Sequence, residues 1–161
     1  MKIAPLRWHE TKHFARLRNQ IDTETKHLVA RGGERKEDGL RVLARILMNR
    51  RLITLVARDN DEMIGYVSVV FAKFKKLKGN SYLTISVRAS HRGKGVGSLL
   101  MQAAEELARE RGARRMELEV FSQNPAVNLY KRLGYEEEGR KRKAVEDNGE
   151  FDDIIFMAKF L

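Results

Sequence analysis

The tightest constraint on this chain is a strand that runs directly into a glycine-spaced basic turn and then a helix. Leu83 to Val87 is apolar and β-branched, and Arg88-Ala89-Ser90-His91-Arg92-Gly93-Lys94-Gly95-Val96-Gly97 follows at once. From there Val96, Leu99, Leu100, Ala103, Ala104 and Leu107 recur at the spacing of one helical face. A glycine-rich turn at a helix N-terminus presents free backbone N–H groups and the positive end of the helix dipole. Such a turn favours a phosphate or pyrophosphate, and three glycines without Cβ atoms let an anion come close to the backbone.

Two phosphate-binding classes are excluded by spacing. A P-loop needs a Lys-Ser/Thr pair after its last glycine, whereas Lys94 lies between glycines. The dinucleotide fingerprint needs G-x-G-x-x-G, and Gly93, Gly95 and Gly97 give G-x-G-x-G. The remaining pattern, Arg92-x-x-Gly95-x-Gly97 after a strand, resembles the acetyl-CoA loop of the GNAT N-acetyltransferases.

The rest of the chain divides into recognisable elements. Lys2 to Trp8 reads as a first strand, and Thr11 to about Thr25 and Glu37 to Arg50 as helices. The second helix carries Leu40, Leu43, Ala44 and Leu47 on one face. Leu52 to Ala57 and Met63 to Phe71, joined by Asp59-Asn60-Asp61, form a hairpin. Gly112 stops the long helix, Arg115 to Val120 alternates as a half-buried strand, and Asn124 caps a short helix with Pro125 in its first turn and Gly134 after it. Tyr135 to Val145 and Phe151 to Phe160, with Asp147-Asn148-Gly149 between them, close the chain as a second hairpin. This order predicts an α/β (mixed α+β) fold: a central mixed, mostly antiparallel sheet flanked by helices, with residues 1–161 as a single domain.

A second motif makes the resemblance specific. Asn124-Pro125-Ala126-Val127-Asn128-Leu129-Tyr130-Lys131-Arg132-Leu133-Gly134-Tyr135 is similar to the second cofactor motif of the same acetyltransferases, with Tyr135 in place of their usual Phe. The two motifs stand in the family's order and spacing, and the likeness runs from about Met63 to Leu161. The resemblance implies acetyl-CoA as co-substrate and acetyl transfer to a primary amine (a small amine, an amino acid or a protein N-terminus) by direct attack in a ternary complex. It implies that the backbone of Ile85, Ser86 and Val87 pairs with the pantetheine arm and that the amides of Arg92, Gly93, Lys94, Gly95, Val96 and Gly97 hold the pyrophosphate. By the same resemblance Asn124 bonds the pantetheine, and Tyr130, also in contact with the cofactor, gives its phenolic proton to the departing sulfur. A tyrosine at helical spacing with Ala126, Leu129 and Leu133 is equally the pattern of a core residue.

The general base stays open among Glu24, Glu34, Glu119 and a water chain. Acceptor recognition is expected from about His9 to Arg50 and from the Lys73 to Gly79 loop, where Glu24, Glu34, Glu37 and Asp38 suit a cation and Lys73 to Lys78 an anion. His9 and His13 stand one helical turn apart without a third ligand, so no metal is expected.

Composition closes off other classes. There is no cysteine, hence no thiolate nucleophile, disulfide or Cys-based zinc site. No apolar stretch is long enough for a membrane span, and the start lacks a signal-peptide core, so a cytoplasmic protein without membrane partners is expected. The net charge of +10 has three readings: a nucleic-acid surface, attraction for the phosphates of coenzyme A, or a solvated surface. A non-catalytic acetyl-CoA-responsive module and an acetyltransferase with an RNA-linked acceptor are the alternatives to a small-amine or N-terminal acetyltransferase. Assembly as a homodimer is left open.

Overall fold

The computed structural model describes residues 1–25 and 38–161. Its sheet grows from two tight hairpins. Strands β2 (Leu52–Asp59) and β3 (Glu62–Phe71) are joined by Asn60 and Asp61, both at positive φ (44° and 66°). Such a turn twists with the strands, and Asn and Asp tolerate it better than other side chains. Strands β6 (Glu136–Asp147) and β7 (Glu150–Phe160) turn in the same manner at Asn148-Gly149.

With β1 (Lys2–Pro5), β4 (Asn80–Val87) and β5 (Arg115–Phe121), these form one seven-stranded sheet in the order β1-β2-β3-β4-β5-β7-β6. Neighbours run antiparallel except β4 and β5, which are parallel. The mixed, mostly antiparallel sheet expected from the element order is therefore present. The first strand is shorter than predicted: it stops at Pro5, and Trp8–Glu10 forms a 3-10 turn.

Helices cover both faces. On one, α3 (Val96–Glu110) and α4 (Ala126–Arg132) pack with Leu55, Val67, Val69, Leu83, Met116 and Leu118. On the other, α1 (Thr11–Glu24) and α2 (Gly39–Met48) enclose Val56 and Tyr66, with Phe14 edge-on to Tyr66 at 5.0 Å between ring centres.

The predicted face of α2 is not its core face. Val42 is buried and Ile46 packs on the Phe14–Tyr66 cluster, whereas Leu40 and Leu47 are 78% and 68% exposed. The contact with α1 fixes this rotation. A Cβ on Gly39 would meet the Lys12 backbone at 3.1 Å, so the first turn of α2 lies directly against the start of α1. Glu37, the predicted start of this helix, lies outside the described residues.

Candidate active site

The parallel pair β4–β5 is joined only at one end. Asn80, Ser81 and Tyr82 stand opposite Arg115, Met116 and Glu117, and beyond Tyr82 the two strands part. Local chemistry fixes the closed end. The buried Ser81 hydroxyl donates to the Arg115 carbonyl at 3.0 Å, and Arg114 and Arg115 both donate their amides to the Gly79 carbonyl. The gap widens towards the C-terminal end of β4, where the glycine turn begins.

Register decides which backbone groups face this gap. The Asn80 carbonyl accepts from Ala72 and the Arg88 amide donates to Ile64, so even-numbered residues of β4 are bonded to β3. Alternation then turns the N–H and C=O of Ile85 and Val87 outward, and engages those of Ser86 with Tyr66. Ile85 and Val87 fit the predicted role of an edge for an added strand. The Ser86 backbone does not, because the ladder to β3 already uses it. The Arg92 side chain crosses the turn, its Nε donating to the outward Val87 carbonyl at 3.0 Å.

The glycines of the turn divide their work. Gly93 and Gly95 have φ of +72° and +82°, and Gly95 is the left-handed residue that starts α3. No protein atom lies within 4 Å of where their Cβ atoms would stand. Their requirement is conformational, and the exposed turn stays open to an anion. Gly97 differs. Its φ is ordinary and a Cβ there would meet Leu129 of α4 at 3.0 Å, so it sets the close approach of α3 to α4. Lys94 is exposed above the turn, and the Val96 side chain is buried beneath it.

Helix α4 carries the second motif. The Asn124 Oδ1 accepts from the Ala126 amide at 2.9 Å, which leaves its amide nitrogen as the group able to donate to a ligand. Tyr130 is 6% exposed, and its ring belongs to the core beneath α3. Burial pushes its phenol above the ordinary range, and the nearby Tyr82 hydroxyl adds to the shift. The core reading of this ring is therefore present in the structure, and its hydroxyl is a protonated group in the neutral range.

Tyr82 was not singled out by sequence. Its position, the last paired residue before β4 and β5 part, becomes visible only in the register. Burial raises its pKa, the Glu119 carboxylate raises it further, and the Glu119 amide pointing at the hydroxyl opposes both. The Glu119 amide thus reaches the Tyr82 hydroxyl just past the closed end of the gap, and Tyr130 is near enough for the two phenols to influence each other electrostatically.

The other proposed carboxylates lie elsewhere or are occupied. Glu24 Oε2 accepts from the Ala89 amide at 2.7 Å, fastening the end of α1 to the start of the glycine turn. Asp38 caps α2 by accepting from the Arg41 amide at 2.8 Å. Glu34 and Glu37 lie outside the described residues. Lys73 to Gly79 links β3 to β4 beyond the closed end of the gap, not at its open mouth. His9 and His13 are exposed, with His9 edge-on to Trp8. Among the described residues no three His, Cys, Asp or Glu side chains are grouped to hold a metal ion, and no helix is long and apolar enough to cross a membrane.

A sheet that splits between two parallel strands, with a glycine turn and helix N-terminus at its open end, defines an acetyltransferase fold of the GNAT type. Residues 14–135 match the sequence profile of the Acetyltransferase (GNAT) family, and the chain belongs to that family. It is 39% identical to streptothricin acetyltransferase of Streptomyces lavendulae over 53% of this chain and 44% of that one. It is 36% identical to the L-methionine sulfoximine/L-methionine sulfone acetyltransferase of Pseudomonas paraeruginosa over 64% and 62%, and 35% identical to an N-alpha-acetyltransferase of Sulfurisphaera tokodaii over 51% and 55%. The matches thus span between 44% and 62% of these relatives' lengths.

Among solved structures, a GNAT acetyltransferase from Streptococcus pneumoniae superposes with a TM-score of 0.88 at 26% identity, covering 99% of each chain. A phosphinothricin acetyltransferase from Sinorhizobium meliloti in complex with AcCoA superposes with a TM-score of 0.83 at 20% identity, covering 99% of this chain and 88% of that one. That structure holds AcCoA on the same fold.

Proposed function

We propose that this protein transfers the acetyl group of acetyl-CoA to a primary amine, which attacks the thioester directly. The observation that carries the proposal is the gap itself: outward Ile85 and Val87 backbone groups, an open anion turn at one end and a buried, protonated Tyr130 near the other. These residues suit acetyl-CoA. The amides of the Arg92 to Gly97 turn and the positive end of α3 offer donors to a pyrophosphate. Ile85 and Val87 offer an edge to an amide-bearing arm, and the Asn124 amide nitrogen offers a further donor. Acetyl-CoA supplies the activated acyl group.

The chain's own residues supply binding, orientation and proton transfer. In the reaction the amine nitrogen bonds to the acetyl carbon and the carbon–sulfur bond breaks. Tyr130 holds its proton through the neutral range and delivers it from Oη to the departing sulfur. Glu119, beside Tyr82 at the split, takes the proton lost by the amine, directly or through one water. Glu24 is the less available group, because its carboxylate is engaged by Ala89.

The acceptor is a primary amine on a small molecule, an amino acid or a protein N-terminus, the range covered by the names of the relatives. Calorimetric titration with acetyl-CoA, followed by thiol release against a panel of amines, amino acids and peptides, tests the proposal. Saturable binding and acceptor-dependent thiol release are expected. Absence of binding at millimolar acetyl-CoA overturns it, and binding without thiol release from any acceptor leaves a CoA-responsive binding module.

A further inference from the structure

The excess positive charge is concentrated at the end of the molecule that the active site does not use. Three connections meet there: 49–51 before β2, 72–79 between β3 and β4, and 111–114 between α3 and β5. Backbone hydrogen bonds tie them together. Phe71 N donates to the Arg51 carbonyl at 3.0 Å, Ala72 N to Asn80 at 3.1 Å, and Arg114 N to Gly79 at 2.7 Å.

These connections carry Arg50, Arg51, Lys73, Lys75, Lys76, Lys78, Arg111 and Arg114, and contain no Asp or Glu. All of these cations are exposed, and none is in an ion pair among the described residues. Of the carboxylates bordering the pole, Glu117 and Glu138 are held by Arg115, while Glu110, the last residue of α3, lies exposed next to Arg111.

The cofactor turn does not account for this charge. It follows the opposite end of β4, an eight-residue strand, and so lies about 25 Å away at the rise of a strand. That exceeds the Debye length of ~8 Å at physiological salt, so a pyrophosphate at the turn feels little of the pole. Nor does solubility alone call for one-sign clustering without interspersed carboxylates, since mixed charges serve it as well.

The geometry points to this pole as a docking surface for a single-stranded polynucleotide. Cations spread over three convex connections can follow a flexible phosphodiester backbone, and Phe74, 67% exposed between Lys73 and Lys75, offers a face on which an unpaired base can stack. A membrane-surface site would instead place its cations along a continuous amphipathic helix, and the only helical turn here is the three-residue Lys75–Leu77. The surface is separate from acetyl transfer and stands whether or not that activity is found.

Fluorescence anisotropy with labelled 20-nucleotide single-stranded RNA and DNA over a salt series tests it. Binding should weaken steeply with salt, by about 0.7 in log K per log salt for each phosphate contacted. Replacing Lys73, Lys75, Lys76 and Lys78 together by Gln should weaken it at least ~10-fold and flatten the slope by two or more contacts. The Arg50→Gln/Arg51→Gln pair, on a different connection, should act in the same direction. Phe74→Ala should weaken binding with the salt slope unchanged. Acetyl-CoA titration of each variant verifies the fold and the other end of the molecule independently. RNA against DNA preference identifies the source of the strand. The proposal is overturned if neither probe binds at low salt, or if the lysine variant binds as wild type while Lys94→Gln does not. Sedimentation with phosphatidylserine-containing vesicles but no polynucleotide binding also overturns it, in favour of a membrane surface.

Discussion

Tyr130 places an ionisable group where its proton is difficult to remove. Its ring is sealed in the core, and burial followed by the neighbouring Tyr82 hydroxyl raises the phenol above its ordinary range. A raised phenol pKa keeps the donor form at every pH below ~10, so the alkaline limb of a kcat profile should not come from this residue. Tyr130→Phe should lower kcat about 100-fold while acetyl-CoA affinity by calorimetry stays within error. Unchanged turnover would leave Tyr130 as a core ring only. The glycines separate in a similar experiment. Gly95→Ala forces a side chain into left-handed backbone, a strain of roughly 1–2 kcal/mol, and should weaken acetyl-CoA binding. Gly97→Val pushes on Leu129 and should lower the melting temperature even without ligand, by an overpacking cost of about 1–3 kcal/mol. If Gly97→Val weakens binding at unchanged melting temperature, Gly97 serves the anion after all.

Helix α3 keeps its apolar stripe in the core and widens it on one side. Val96, Leu100 and Ala104 of the predicted stripe are buried and Ala103 and Leu107 pack against the same core, while Leu99 is 42% exposed and Met101, Glu105 and Ala108 are buried beside the stripe. The widening brings Glu105 inside. There its carboxylate accepts from Lys159 Nζ of β7 at 2.7 Å and from Arg109 at 3.4 Å. A buried carboxylate that loses its main partner is more costly than an apolar pair of the same size. Lys159→Met should therefore destabilise by roughly 2–4 kcal/mol in urea unfolding, and adding Glu105→Leu should recover much of that loss. A double variant less stable than Lys159→Met would refute this account of the pair. At the sheet edge, β6 carries exposed charges and an irregular register around Lys143, whose φ is 51° and whose amide donates to Asp153. Charge and a bulge on an edge strand discourage pairing with another chain.

Across the whole molecule, acid should be the weak side of stability. Burial opposes the charge on Glu10, but the Arg7 amide and the Arg58 guanidinium at 2.7 Å outweigh it and hold the carboxyl below its usual range. Hydrogen bonds from arginines also lower Glu137 and Glu138, and the Lys143 amide lowers Asp153 before Arg140 adds its share. In each case the unfolded chain binds the proton more readily. The stabilisation is then full above the unfolded pKa of ~4.3 and is lost as pH falls through the lower folded value. Glu10→Gln should cost about 1–2 kcal/mol near pH ~7 and almost nothing once the pH has fallen through the lowered folded pKa, where the wild type has lost the same interaction. An equal cost at both pH values would show that the pair contributes through packing instead of charge. What the sequence determined by itself is local: the turns at Asn60 and Asn148-Gly149, the glycine turn before α3, and the Asn124 cap all follow from short-range backbone chemistry. The two family motifs were legible for the same reason, because a glycine turn and its helix are contiguous in the chain. Tertiary structure alone decided which face of α2 is buried, that Glu105 joins the buried side of α3, that Gly97 packs against Leu129, and that Ser86 is spent on β3. It also brought Tyr82 near Tyr130 and Glu119 and gathered the cations of three distant connections at one pole. These depend on register and helix rotation, which are set by contacts between residues far apart in sequence and leave no periodic trace within either segment.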